Sequence, residues 1–307
     1  MKNLCPICNS QNYDFLCLYK GKNEIFTNKN LIKCRDCSCV YISPMIEEDD
    51  LNKYNQFYQQ QNIQSFNQSS QQFSYHQSKA RIDYITGIIG SLKGKDILDV
   101  GASYGYIYDV VSDIYSNDIN YTAIELDISQ LDYLKKKSIE AFSQLSELPK
   151  RQYDLIILSH IIEHLNNPID MINLLKRFLK KDGYIYIEVP NSDYLYKEIF
   201  ESHIIFFNIT SINELFKISN LILMDIGCFG IQIHQLKQKP LEKILRKVKH
   251  FIRNKLIPDV FMALIRKRIV KEKNIIDYDE VFKLRVSGDN RQWIRAIARL
   301  NDVENEK

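Results

Sequence analysis

Residues 97–105, Ile-Leu-Asp-Val-Gly-Ala-Ser-Tyr-Gly, constrain the fold of this chain more than any other stretch. An apolar strand runs there into Asp99, Gly101 and Gly105, and a helical pattern follows at once. A turn of that kind lets backbone N–H groups and the positive end of a helix approach a ligand closely. Glu125 stands twenty residues beyond Gly105, at the end of a second apolar run. An acid at that place can hold both hydroxyls of a ribose, so a nucleoside ligand is expected. A dinucleotide fold asks for G-x-G-x-x-G so that a pyrophosphate can rest on the helix N-terminus. Here Ser103 takes the middle glycine position, and the carboxylate of Asp99 precedes the first glycine, where it would repel a pyrophosphate. It suits instead a ligand with a cationic amino-acid tail.

The order of motifs continues downstream. Tyr153 to Ser159, Tyr-Asp-Leu-Ile-Ile-Leu-Ser, reads as a strand buried on both faces. His160-Ile-Ile-Glu-His164-Leu follows, then an amphipathic helix through Phe178, a Lys-Lys-Asp-Gly turn, and the strand Tyr184 to Val189 closed by Pro190-Asn191. Over residues 80–300 this ordered set resembles the class I S-adenosylmethionine-dependent methyltransferases. The resemblance implies an α/β, Rossmann-like, doubly wound and mostly parallel seven-stranded sheet with an antiparallel last strand, here expected near Ser287 to Ala298. It also implies S-adenosyl-L-methionine as cofactor, held by Asp99, Gly101, Ser103, Tyr104, Gly105, Glu125 and Ser159.

Four of the seven cysteines form two C-x-x-C knuckles, Cys5-Pro-Ile-Cys8 and Cys34-Arg-Asp-Cys37. With 25 residues between the knuckles, four thiolates can converge tetrahedrally on one ion. A small N-terminal zinc ribbon over residues 1–46 is expected, its zinc structural because four sulfur ligands leave no open position. As an independent unit it should unfold on chelation and leave the cofactor domain folded. Cys17, Cys39 and Cys228 read as buried fillers, with Cys39 near enough to exchange with Cys37. No apolar run reaches the 18 or so residues of a membrane span. The start, Met-Lys-Asn-Leu-Cys-Pro, lacks the apolar core of a signal peptide. Both point to a reducing, cytoplasmic setting.

Residues 47–77 are rich in Gln and Asn and read as a linker, but Tyr54, Phe57, Tyr58, Phe66, Phe73 and Tyr75 suit a lid with partial order. A helix is expected from Ser78 to Leu92, within a cofactor domain over 78–236. After a sixth strand, Leu221 to Phe229, residues 237–273 hold thirteen Lys or Arg against three acidic residues, an excess of ten positive charges in a chain of net +3. This basic amphipathic insertion, taken to run over 237–285, suits an anionic membrane surface, a homodimer contact, packing on its own domain, or nucleic acid. The overall pI near 8.3 disfavours nucleic acid. Residues 286–307 form the last strand and tail.

His160-Ile-Ile-Glu163-His164 matches an H-x-x-E-H metalloprotease pattern, but it begins at a strand end with no third ligand in reach, so a catalytic metal is not expected there. His160 and Glu163 are placed at the mouth of the site, orienting an acceptor or serving structurally, with His164 capping or packing. Glu201-Ser202-His203-Ile-Ile-Phe-Phe-Asn208 resembles the His-Glu-His-x-x-Tyr-Phe-Ser segment of zinc-ribbon sugar C-methyltransferases, whose last histidine acts as base. That resemblance implies His203 as catalytic base. Glu201 and Ser202 depart from the pattern, which turns the expectation from carbon toward a hydroxyl oxygen. The whole arrangement is similar to methyltransferases of surface polysaccharides and modified sugars, which implies a small-molecule or lipid-linked sugar acceptor. RNA methylation and an inactive cofactor-binding scaffold are the alternatives.

Overall fold

The computed structural model describes residues 4–62, 68–116, 118–236, 282 and 291–301. Most of the basic insertion, residues 237–281, and Phe66 lie outside the described residues. The strands are β1 (Tyr13–Leu18), β2 (Asn30–Cys34), β3 (Val40–Ser43), β4 (Asp96–Val100), β5 (Asn120–Ile124), β6 (Glu140–Phe142), β7 (Tyr153–Ser159), β8 (Leu179–Pro190), β9 (Ile205–Phe206), β10 (Leu221–Gln232) and β11 (Arg291–Leu300). The helices are α1 (Glu48–Asn62), α2 (Gln68–Ile89), α3 (Tyr106–Tyr115), α4 (Ile128–Lys136), α5 (Pro168–Lys176) and α6 (Ile209–Ile218).

Seven strands form one sheet in the order β10-β11-β8-β7-β4-β5-β6. Pairing is parallel from β8 to β6, while β11 runs antiparallel to both β8 and β10. This is the expected Rossmann-like, doubly wound methyltransferase sheet with its antiparallel last strand. Central strands such as β7 are apolar along their length because helices cover both faces. The chain reverses direction across the sheet at β4, which pairs with β5 on one side and β7 on the other. Ligands bind at the carboxyl ends of strands at such a switch point. The register sets Val100 opposite both Ile124 and Leu158, so Asp99, Glu125 and Ser159 reach one edge of the sheet.

The cysteine knuckles carry β1, β2 and β3, but the small sheet they form has four strands. Its last strand is β9, from the segment that follows β8, paired antiparallel to β3. Residues of both parts, among them Cys5, Leu31, Tyr41, Leu158, Ile187 and Phe206, form one buried apolar cluster. The N-terminal unit is therefore built onto the larger sheet.

Within 47–77, the described residues 48–62 and 68–77 are helical. α1 occupies 48–62 and α2 begins at Gln68, ten residues before the helix read from the sequence. Gln is a good helix former, and aromatic contacts hold each helix. Tyr54 is buried with its ring 5.1 Å from Phe26, and Phe73 meets Phe282 at 5.0 Å. The His160–Leu165 segment holds a 3-10 turn at Ile162–His164, and the amphipathic helix expected after it is α5, which starts with Pro168 in its first turn. No helix among the described residues is long and apolar enough to cross a membrane.

Candidate functional site

The loop after β4 is shaped by close backbone approach. Gly101 has φ +77°, and a Cβ there would stand 2.1 Å from Ile161 Cδ1, so a side chain is excluded twice. Gly105, at φ +72°, turns the chain into α3. Between them Ser103 donates its N–H to Glu125 Oε2 at 2.7 Å, and Asp127 donates to Oε1 at 2.9 Å. Burial pushes the Glu125 carboxyl up, and these backbone donors pull it back. Asp99 is buried and accepts the Tyr121 hydroxyl at 2.5 Å. Burial raises its carboxyl to about 6 against the pull of that hydroxyl and of Arg81.

A cavity of about 700 Å³ opens over this loop. Asp99, Gly101, Ser103, Tyr104, Glu125 and Ser159 all line it, whereas Gly105 shapes the turn from outside the lining. From the other side α2 contributes Gln77, Ser78 and Arg81, which the sequence reading left as part of a leading helix. A volume of that size suits a cofactor-sized ligand. The donor set suits one with a cationic end at Asp99 and a diol at Glu125.

His160 lines the same cavity. It has φ +59°, and its ring lies between two carboxylates, with Nδ1 3.3 Å from Glu163 and Nε2 3.2 Å from Glu188. Burial works against its charge, but the two carboxylates outweigh it and hold the imidazole at about 9. At neutral pH it is an imidazolium with both N–H groups engaged, and it has no lone pair to accept a proton. Glu188 is fully buried at the end of β8, where it also receives Arg81 at 2.6 Å and Arg295 at 2.6 Å. Those guanidinium groups hold it well below the usual carboxylate range despite burial. Nothing local in the sequence marks Arg295 or Glu188, since residues 81, 160, 188 and 295 meet only through the fold.

Glu163 lies beneath the mouth, its side chain 1% exposed. Burial would raise its carboxyl, but His160 and the neighbouring histidines hold it down. His164 places Nδ1 3.1 Å from the Ser202 carbonyl and 3.0 Å from its hydroxyl, and burial lowers its imidazole to about 4. His203 is outside the cavity lining. Its Nδ1 is 2.8 Å from Asp193, a buried carboxylate held at about 2 by His203 and Lys197 against its burial. Its ring centroid is 4.9 Å from that of His164. Glu201 turns to the N-terminal unit, where it accepts the N–H groups of Lys22 and Asn23. Tyr19 donates its hydroxyl to the His203 carbonyl at 2.7 Å.

At the knuckles, Cys5 and Cys37 sulfurs are 3.4 Å apart and those of Cys8 and Cys34 3.5 Å, with all four within 4.8 Å of one another. Four thiolates at 2.3 Å from a tetrahedral ion would be separated by about 3.8 Å. The residues present therefore fit the group.

Residues 73–224 match a family described as a methyltransferase domain. A ubiquinone biosynthesis O-methyltransferase of Actinobacillus pleuropneumoniae serotype 7 is 28% identical over 123 residues, covering 36% of this chain and 52% of that protein. Its counterpart from Nitrosomonas europaea is 27% identical over 139 residues, covering 41% and 57%. The chain thus spans about half the length of these curated relatives. Among solved structures, a SAM dependent methyltransferase from Archaeoglobus fulgidus is 17% identical with a TM-score of 0.45, covering 72% of this chain and 92% of that one. The plantazolicin methyltransferase BpumL in complex with SAH is 14% identical with a TM-score of 0.46, covering 83% and 92%.

Proposed function

We propose that the chain transfers the methyl group of S-adenosylmethionine to a hydroxyl oxygen of a sugar or glycan acceptor, a reading supported by the match of residues 73–224 to a methyltransferase domain. The observation that carries the cofactor is the pair Asp99 and Glu125 in one cavity. Asp99 meets the ammonium of the amino-acid tail, Glu125 the two ribose hydroxyls, and Arg81 stands within the same wall for the tail carboxylate. The methyl group on a sulfonium is already activated, so alignment of the acceptor behind it supplies most of the rate. The acceptor oxygen bonds to the methyl carbon as the carbon–sulfur bond breaks. The electron pair goes to sulfur, and the acceptor proton must leave.

Proton removal falls to the side of the site that carries Glu163, His164 and His203, because both nitrogens of His160 are engaged. In that cluster His203 has Nδ1 2.8 Å from Asp193, which orients Nε2 as the proton acceptor once the part-exposed Lys197, 3.3 Å from Nε2, turns to solvent. Oxygen is favoured over carbon because Glu201 and Ser202 are committed to structural contacts, and the curated relatives are named as O-methyltransferases. The sugar acceptor rests on the combination of a cysteine-knuckle unit with this cofactor domain, and zinc is assigned to Cys5, Cys8, Cys34 and Cys37 on the fit of their sulfurs.

Calorimetric titration with S-adenosylhomocysteine, in parallel with NAD and with Asp99→Ala, tests the cofactor. Binding of the homocysteine nucleoside alone, lost in the variant, is expected. A folded, zinc-loaded sample that binds neither ligand overturns the reading and leaves a scaffold. An acceptor screen with nucleotide sugars should then give methylated product, and turnover of RNA alone would overturn the sugar assignment.

A further inference from the structure

Three side chains beside the cavity are arranged in a way that proton removal alone does not require. Glu163 comes from the 3-10 turn after β7, and its Oε2 is buried with no hydrogen-bond partner among the described residues. An unpaired buried carboxylate oxygen is costly, because its lost hydration is not replaced. His164, its neighbour in the chain, has Nδ1 on the Ser202 carbonyl and hydroxyl, which leaves Nε2 facing Glu163, 4.0 Å from its Oε1. His203 has Nδ1 against the buried carboxylate of Asp193. One donor atom from each of Glu163, His164 and His203 lies within 4.8 Å of the other two.

Histidines that ligate metals characteristically give their second nitrogen to a carboxylate or a backbone carbonyl, which fixes the tautomer and aims the ligating nitrogen. Both histidines here have such a partner. We propose that Glu163, His164 and His203 bind one divalent first-row transition-metal ion of the zinc class, through two imidazoles and one carboxylate. This site is separate from the four cysteines and chemically harder than they are. Three protein ligands leave an open position for an oxygen donor.

Lys197 is the group the ion must displace. Its ammonium is 3.2 and 3.3 Å from the two ring nitrogens of His203 and 2.7 Å from Asp193. The lysine side chain is one-third exposed, so it can turn to solvent while keeping Asp193 as its partner. With an ion in place His203 Nε2 is a ligand, and its role as base in the methyl-transfer reading belongs to the ion-free chain; the binding does not rest on that reading.

The test uses the full chain, loaded with excess zinc, desalted and measured by elemental analysis. The wild type should retain about two equivalents, one for each site. His164→Ala and His203→Ala should each lose one, and Cys34→Ser should lose the other. Asp193→Asn should weaken the non-cysteine site by about 10- to 100-fold. Cobalt titration of the wild type serves if a variant does not fold. One equivalent should show thiolate charge-transfer absorption, and the other only the weak bands of nitrogen and oxygen ligands. A wild type that saturates at one thiolate-bound ion overturns the proposal, as does a second ion kept by both histidine variants. Homocysteine-nucleoside binding, measured on the same samples, reports separately on the cofactor site.

Discussion

The two sides of the site were built by different means. On the cofactor side, Asp99, Gly101, Ser103, Tyr104 and Glu125 come from 27 consecutive residues, and adjacent parallel strands bring them together by register. On the other side Tyr19 of the N-terminal unit meets Glu163, His164, Asp193, Glu201 and His203 from separate loops of the middle of the chain. Backbone geometry decides the first, so glycines and an acid at fixed spacing announce it. Side-chain nitrogens and oxygens from separate loops decide the second, and their spacing in sequence carries no signal. The shared apolar cluster explains how the second side holds its shape: the cysteine unit is one wall of the region that carries His203.

If that comparison is right, damage to the cysteine unit should spread to the far side of the site. Cys34→Ser should raise hydrogen exchange both in residues 4–46 and in 200–208, the largest effect expected. Loss of protection in 4–46 with 200–208 unchanged would restore the independent ribbon. Arg295→Leu leaves Glu188 buried with one guanidinium fewer, and should cost about 3–5 kcal/mol, read as a lower Tm. A cost within the usual surface range would remove the buried network from the argument. Asp99→Asn should weaken S-adenosylhomocysteine binding by about 10- to 100-fold, given about 1.5–3 kcal/mol for a charged hydrogen bond, with little change in Tm. In the wild type, affinity should fall as pH drops through about 6, where Asp99 takes up its proton, and the variant should lose that dependence.

Two smaller effects sharpen the contrast. Tyr19→Phe removes a hydrogen bond to the His203 carbonyl worth about 1 kcal/mol. Acceptor turnover should fall with cofactor affinity unchanged, and a change in affinity instead would join the two sides. His160 has a folded-state value of about 9 against an ordinary 6.5. Its contribution to stability is therefore complete below pH 6.5 and lost as pH rises through 9. His160→Asn should flatten the stability profile over that window, measured by denaturant unfolding at several pH values.

Much of the sheet was legible in the sequence. β7 occupies the residues its apolar run marks, and β4, β10 and β11 fall within a few residues of their sequence patterns, while β8 begins at Leu179 and takes in the Lys-Lys-Asp-Gly stretch read as a turn before Tyr184. α1 and the start of α2 were misread because they are Gln-rich: polarity suggested a linker, while burial of Tyr54 on α1 and the Phe73–Phe282 contact on α2 accompany the helices. His203 stands about forty residues beyond the H-x-x-E-H pattern and comes beside His164 only through the fold, in the segment that pairs β9 with β3. His160, taken as a group to orient the acceptor, is held between two acids, one of them on β8.

The sequence by itself determined the parallel core, the glycine turn and the acids at its two ends. Each of these follows from period, backbone torsion and short-range spacing. Only the tertiary structure decided which histidine is charged, which carboxylate oxygen is left unpaired and which strand completes the cysteine unit. Those outcomes depend on burial and on distances between groups far apart in the chain, and a linear pattern records neither.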